Sequence, residues 1–362
     1  MGSNRDMAPY DRRTGGSPRS PKAGETWWYA AVAAEAADSF STRVRTRTRR
    51  ACLGAILLLT LVYAGLVLTA TGRRWGDAAV TGRRADTRVA ALVRDHPSLA
   101  GAATLSLVLA CVLLVGIGAV RKRYALTGAA AGAVAVSLAV TGLLQRYAPR
   151  PRPVDGVGAL VPSGFPSATA TLAFGVALAL PLVVPRHSRA LVTGAATLWA
   201  VLLGAYSIAA GDHRPGDVMA AALLALAVQC GLIALLARRG KVRPGARRGT
   251  ALRGLPVTLP LALVATGGLV AGFLLLGDTL GLPATAPYDP DELRLAHRCG
   301  QALAAGVGAA TGLALLALVR HVDLDGGPAA YRLGGPFVED SGAPDQGELV
   351  GPFTENHDHE IS

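Results

Sequence analysis

His213 and Asp217 stand four residues apart in the stretch Gly211-Asp212-His213-Arg214-Pro215-Gly216-Asp217, between long apolar runs at 190–210 and 218–237. On a starting helix that spacing puts both side chains on one face, with Pro215 suited to the first turn. A histidine oriented by a carboxylate is equipped for nucleophilic or acid–base chemistry. A second polar stretch, Gln145-Arg146-Tyr147-Ala148-Pro149-Arg150-Pro151-Arg152-Pro153, adds guanidinium groups. Arg150 and Arg152 can grip phosphate oxygens bidentately, with Arg146 close by. A third, Pro162-Ser163-Gly164-Phe165-Pro166-Ser167-Ala168-Thr169, opens another apolar run. There Ser167 and the first backbone amides offer neutral donors where anions bind readily, at a helix N-terminus. The chemistry this set suits is attack on a phosphoryl group.

The elements that must position these residues are membrane helices. The chain of 362 residues is 51% hydrophobic and only 17% charged, against about 25% charged in soluble domains. Eight blocks, at 52–71, 102–120, 125–144, 166–184, 190–210, 218–237, 255–277 and 303–319, contain no Lys, Arg, Asp or Glu. Blocks of roughly 20 apolar residues are long enough to cross a bilayer as helices. The expected fold is therefore all-α, a polytopic membrane helix bundle. The first block lies too far into the chain to be a cleaved leader.

Net charge is +12, and its placement orients the bundle. Arg43, Arg45, Arg47, Arg49 and Arg50 precede the first block; Arg121-Lys122-Arg123 follow the second; Arg186 and Arg189 follow the fourth; residues 238–253 are densely basic. If all eight blocks span, these lie on one side, and the positive-inside rule puts both termini in the cytoplasm of a plasma membrane. The three chemistry-bearing stretches then face outward together. Segment 71–99 breaks the pattern, because it also lies outside yet carries Arg73, Arg74, Arg83, Arg84, Arg88 and Arg94. Nucleic acid is not the expected partner, since the basic runs flank spans and no recognition motif accompanies them; the bilayer is. The excess of Arg over Lys fits a GC-rich bacterial gene.

Five segments follow along the chain: a basic, mostly disordered arm at 1–50, a six-span core at 51–237, a basic loop at 238–254, two further helices at 255–320 and an acidic tail at 321–362. Trp27, Trp28 and Tyr29, leading to Phe40, have the composition of a short interfacial helix. The pairs Gly128/Gly132, Gly268/Gly272 and Gly308/Gly312 are small-residue faces expected to serve internal helix packing. Cys52, Cys111, Cys230 and Cys299 lack metal or redox spacing and read as buried small residues. No metal or cofactor is expected. His297, before the last block, reads as a solvated loop residue.

Across 52–237 the chain resembles the type-2 phosphatidic acid phosphatase superfamily, whose fold is shared with vanadium haloperoxidases. That family carries K-x6-R-P, P-S-G-H and S-R-x5-H-x3-D on loops joining the third to sixth spans of a six-helix core. Here Arg152-Pro153, Pro166-Ser167 and His213 with Asp217 stand at matching positions. The resemblance implies that His213 is the nucleophile, forming a phospho-histidine, with Asp217 orienting it, and that Arg152 holds phosphate. Gln145 stands at the lysine position, Thr169 at the general acid and Ser207 at the second arginine. Loss of an acid costs about 10²–10⁴-fold, and loss of each donor to the phosphoryl group about 10²–10³-fold. Arg146, Arg150 or an arginine of segment 71–99 is available as a replacement clamp. A leaving group that is itself a phosphate needs no protonation, which favours a lipid diphosphate such as polyprenyl diphosphate over a monoester. Two readings follow: a lipid phosphate phosphohydrolase, and a catalytically impaired relative that binds lipid phosphates or serves a structural role.

Overall fold

The computed structural model describes residues 23–148, 164–244, 250–281 and 288–323. Ten α-helices account for nearly all of them: α1 (Ala23–Val62), α2 (Ala70–Thr81), α3 (Thr87–Asp95), α4 (Ser98–Val120), α5 (Tyr124–Tyr147), α6 (Ala168–Val183), α7 (Arg189–Ala210), α8 (Pro215–Arg238), α9 (Thr250–Leu280) and α10 (Pro290–Val319). Two short strands, β1 (Arg243–Pro244) and β2 (Val322–Asp323), pair antiparallel where α8 and α10 end.

Seven helices among the described residues are long and apolar enough to cross a membrane. The chain is a multi-pass membrane protein with an all-α bundle. The eighth apolar block, 166–184, forms a shorter helix, α6, of 16 residues. At 1.5 Å per residue it is about 24 Å long, short of the ~30 Å hydrocarbon core. It does not face lipid: α6 is buried along nearly its whole length, packed against α4, α5, α7 and α8. Ser167 caps its start, and at its other end Val184 turns extended just before Pro185. Lipid instead meets the exposed apolar faces of α1, α4 and α9, including Leu57, Leu109, Val112, Phe273 and Leu274.

Helix α1 runs unbroken from Ala23. The interfacial stretch expected around Trp27–Phe40, and the arginines from Arg43 to Arg50, therefore belong to the helix that becomes the first span. Much of the arm expected to be disordered is helical; residues 1–22 and the tail beyond residue 323 lie outside the described residues. After α1, six residues in a π-helical turn (Tyr63–Leu68) lead to Thr69, whose hydroxyl caps α2 by accepting from Gly72 N at 2.9 Å.

Segment 71–99 is folded, which its count of charges concealed. It forms α2, a 3₁₀ turn (Gly82–Arg84) and α3. Helix α2 buries Trp75, Ala78 and Ala79, and the Trp75 indole N–H donates to Thr279 Oγ1 on α9 at 3.1 Å. Helix α10 packs against α2, α7, α8 and α9. At Gly308 a Cβ would lie 2.6 Å from the Phe174 ring, and at Gly312 it would lie 2.5 Å from the Thr197 methyl, so this glycine pair serves close helix contact as expected. Gly268 and Gly272 do the same between α9 and α10. Gly128 and Gly132 do not, for nothing lies within 4 Å of a Cβ at either.

Candidate active site

The site forms where α7 ends and α8, α6 and α2 begin. Gly211 adopts a left-handed conformation, φ +83°, which glycine reaches without the steric cost that other residues meet. It lets Gly211 N bond Ile208 O at 3.1 Å and Asp212 N bond Ser207 O at 3.0 Å, the two bonds of a Schellman stop. Arg214 is extended (ψ 153°) and caps α8, with Pro215 as its first residue. His213 therefore precedes the helix rather than sharing a helical face with Asp217. It is half-buried on the four-residue turn between the two helices.

Asp217 is 1% exposed, and its Oδ2 accepts the backbone N–H of Arg214 at 3.2 Å. That bond closes the turn holding His213. The Asp217 carbonyl accepts Ser167 N–H at 3.1 Å, fastening the start of α6 to that of α8. Ser167 is fully buried, and its Oγ accepts from Ala170 N at 3.2 Å. The Ser167 oxygen thus caps α6, a role that leaves the hydroxyl proton to donate. The amides of Ala168 and Thr169, both on exposed residues, are the first-turn donors with no acceptor inside the helix. Two helix N-termini meet here, each equivalent to roughly half a positive charge.

Helix α2 contributes what the sequence left open. Arg214 Nε and Nη2 both lie 2.6 Å from Asp77 Oδ1, with each side chain 14% exposed. One turn further along, the Arg83 guanidinium rests on Gly211 so closely that a Cβ added there would overlap it. Arg83 is half-buried, and among the described residues no ion pair occupies it. A guanidinium is thereby held two residues from His213. The Asp77–Arg214 pair has no signature in the sequence; an unexplained surplus of arginine in segment 71–99 was the only sign of Arg83.

The positions lacking a family group are committed elsewhere. Gln145 Nε2 donates to Pro166 O at 2.7 Å, and the buried Ser207 hydroxyl donates to Gly204 O at 2.8 Å. Phe165 packs against Tyr63 of the π turn, ring centres 5.1 Å apart. Arg146 is exposed at the end of α5, its guanidinium 5.8 Å from the centre of the Tyr147 ring. Arg150 and Arg152 lie outside the described residues.

His297 overturns its sequence reading. It is fully buried on α10, and its Nδ1–H donates to Ala79 O on α2 at 2.8 Å, as only a protonated ring nitrogen can bond a carbonyl. Beside it Arg298 bonds the buried Asp86 carboxylate at 2.9 Å. These contacts hold α10 against the segment that carries Arg83.

No curated protein and no solved structure matches the chain. Residues 101–241 match the model of the PAP2 superfamily. That stretch runs from α4 to the end of α8 and contains Gln145, Ser167, Ser207, His213 and Asp217. Over residues 101–241 the chain is thus similar to the PAP2 superfamily, in a membrane protein that is phosphatase-like over that stretch.

Proposed function

We propose that this protein hydrolyses a lipid phosphate at the outer face of the plasma membrane, and that a lipid diphosphate such as polyprenyl diphosphate suits it best. One observation carries the reading: Arg83 brings a guanidinium to Gly211, beside His213, where the chain has lost the arginine at position 207. The first-turn amides of α6 and the N-terminus of α8 add positive potential at the same place. Arg150 and Arg152, and Arg146 beside them, are proposed to reach the phosphate from the preceding segment.

In the proposed reaction an imidazole nitrogen of His213 attacks phosphorus. The bond from phosphorus to the bridging oxygen breaks, and its electron pair leaves with the lipid monophosphate. Water then attacks the phospho-histidine and frees phosphate, with Asp217 orienting the ring. A monophosphate leaving group departs without a proton, so Thr169 in place of an acid is tolerated. An alcohol leaving group would forfeit the acid's contribution, about 10²–10⁴-fold.

A second reading, a relative that binds lipid phosphates without turning them over, is favoured by Gln145 and Ser207, which carry no positive charge and donate to structural carbonyls. Phosphate release from polyprenyl diphosphate and phosphatidic acid, with wild type and His213→Ala, separates the two. Hydrolysis predicts release from the diphosphate that falls to background in the variant. Binding without release assigns the second reading, and faster release from phosphatidic acid removes the diphosphate preference.

A further inference from the structure

The opposite end of α6 holds a second concentration of arginine. Arg121, at the end of α4, donates from Nη1 to Val183 O at 2.7 Å, on the last residue of α6. Arg189, the first residue of α7, is 4% exposed, and its Nη1 donates to Val322 O of β2 at 2.6 Å. Its Nε and Nη2 are buried and have no hydrogen-bond partner among the described residues. Arg121, Arg123 and Arg186 all lie within electrostatic range of Arg189, and so does the carboxylate of Asp323. Arg189 is thus buried among like charges.

Such an arrangement is costly as it stands. A buried donor without an acceptor forfeits its full desolvation energy, and like-charged neighbours add repulsion. Nε and a terminal nitrogen of one guanidinium form the fork that matches two oxygens of a phosphate. We propose that the end of the bundle opposite His213 binds a phosphate-type anion, gripped by Arg189 Nε and Nη2 and neutralised by Arg123 and Arg186. The strand pair β1–β2 closes over this end, so occupancy stiffens the junction of α6, α7 and β2. The anion is either free phosphate or the headgroup phosphate of an anionic lipid. The two present the same oxygens.

The test uses the full-length protein in discs of neutral phosphatidylcholine, with binding of radiolabelled inorganic phosphate measured at constant ionic strength. A parallel arm uses native mass spectrometry with added phosphatidylglycerol. Arg189→Gln and the half-buried Arg186→Gln should each weaken binding about 10-fold or more, while Arg294→Gln, which pairs with Asp291 on α10 and belongs to neither site, should retain it. The Arg186 variant keeps the test valid should the buried change impair folding. Saturable phosphate binding with this pattern identifies a free-anion site. Phosphatidylglycerol retention alone, with the same pattern, identifies a lipid headgroup. Binding of neither probe, or equal binding by wild type and Arg186→Gln, overturns the proposal. Phosphate binding lost only in Arg83→Gln assigns all binding to the His213 site and overturns it equally.

Discussion

Arg214 holds Asp77 through two nitrogens at 2.6 Å, joining the cap of α8 to a short helix that precedes the second span. The pair does two things at once. It fixes the turn that carries His213, and it pins α2 so that the following 3₁₀ turn delivers Arg83 to Gly211. Each prediction below follows from this junction or from the packing behind it.

Breaking the pair leaves one mostly buried charge uncompensated. Asp77→Ala and Arg214→Ala should each destabilise the protein by about 3 kcal/mol, because both partners are largely buried. Thermal unfolding of the single variants and the double variant should show a favourable coupling of roughly 0.5–3 kcal/mol. Additive losses would mean that the pair does no work.

Arg83 should matter for rate far more than for folding. Arg83→Ala is expected to lower kcat/KM for a lipid diphosphate about 10²–10³-fold, the cost of losing one donor to the developing phosphoryl charge. Arg83→Lys should recover part of that, as a point charge without the planar fork. Unchanged kcat/KM in Arg83→Ala would remove this residue from the site.

Gly211→Ala introduces a Cβ at φ +83° and into the space of the Arg83 guanidinium. The backbone term is about 1–2 kcal/mol. The guanidinium must also move away, so activity should fall nearly as far as in Arg83→Ala. Combining the two substitutions should then cost little more activity than either alone, measured as kcat/KM.

The glycine faces separate structure from lipid. Gly308→Leu must displace Phe174 from the bundle interior and should destabilise by several kcal/mol or prevent folding. Gly128→Leu and Gly132→Leu enter open space on α5 and should leave thermal stability within about 1 kcal/mol of wild type. Comparable losses at both faces would show that α5 has a packing partner in the membrane.

The membrane class, seven of the eight expected spans and the place of the candidate turn were legible in the sequence. Lipid forbids charge and unpaired backbone, so each span must be written as an uninterrupted apolar block. The stop at Gly211 and the start at Pro215 were legible for similar reasons, since φ above zero favours glycine and proline fits a first helical turn. Segment 71–99 was not legible, because hydropathy describes only how a segment meets its solvent, and this one is solvated by protein. Its surplus of arginine violated the topology count without saying why.

What the chain alone determined is a polytopic bundle with a histidine and a carboxylate where one apolar helix ends and the next begins. Tertiary structure alone decided which side chains serve that end. Ser167 became a cap, His297 a buried strut against Ala79, Gln145 and Ser207 structural donors, and Arg83 the guanidinium against Gly211. These assignments depend on contacts between residues far apart in the chain, and spacing along one helix carries no record of them.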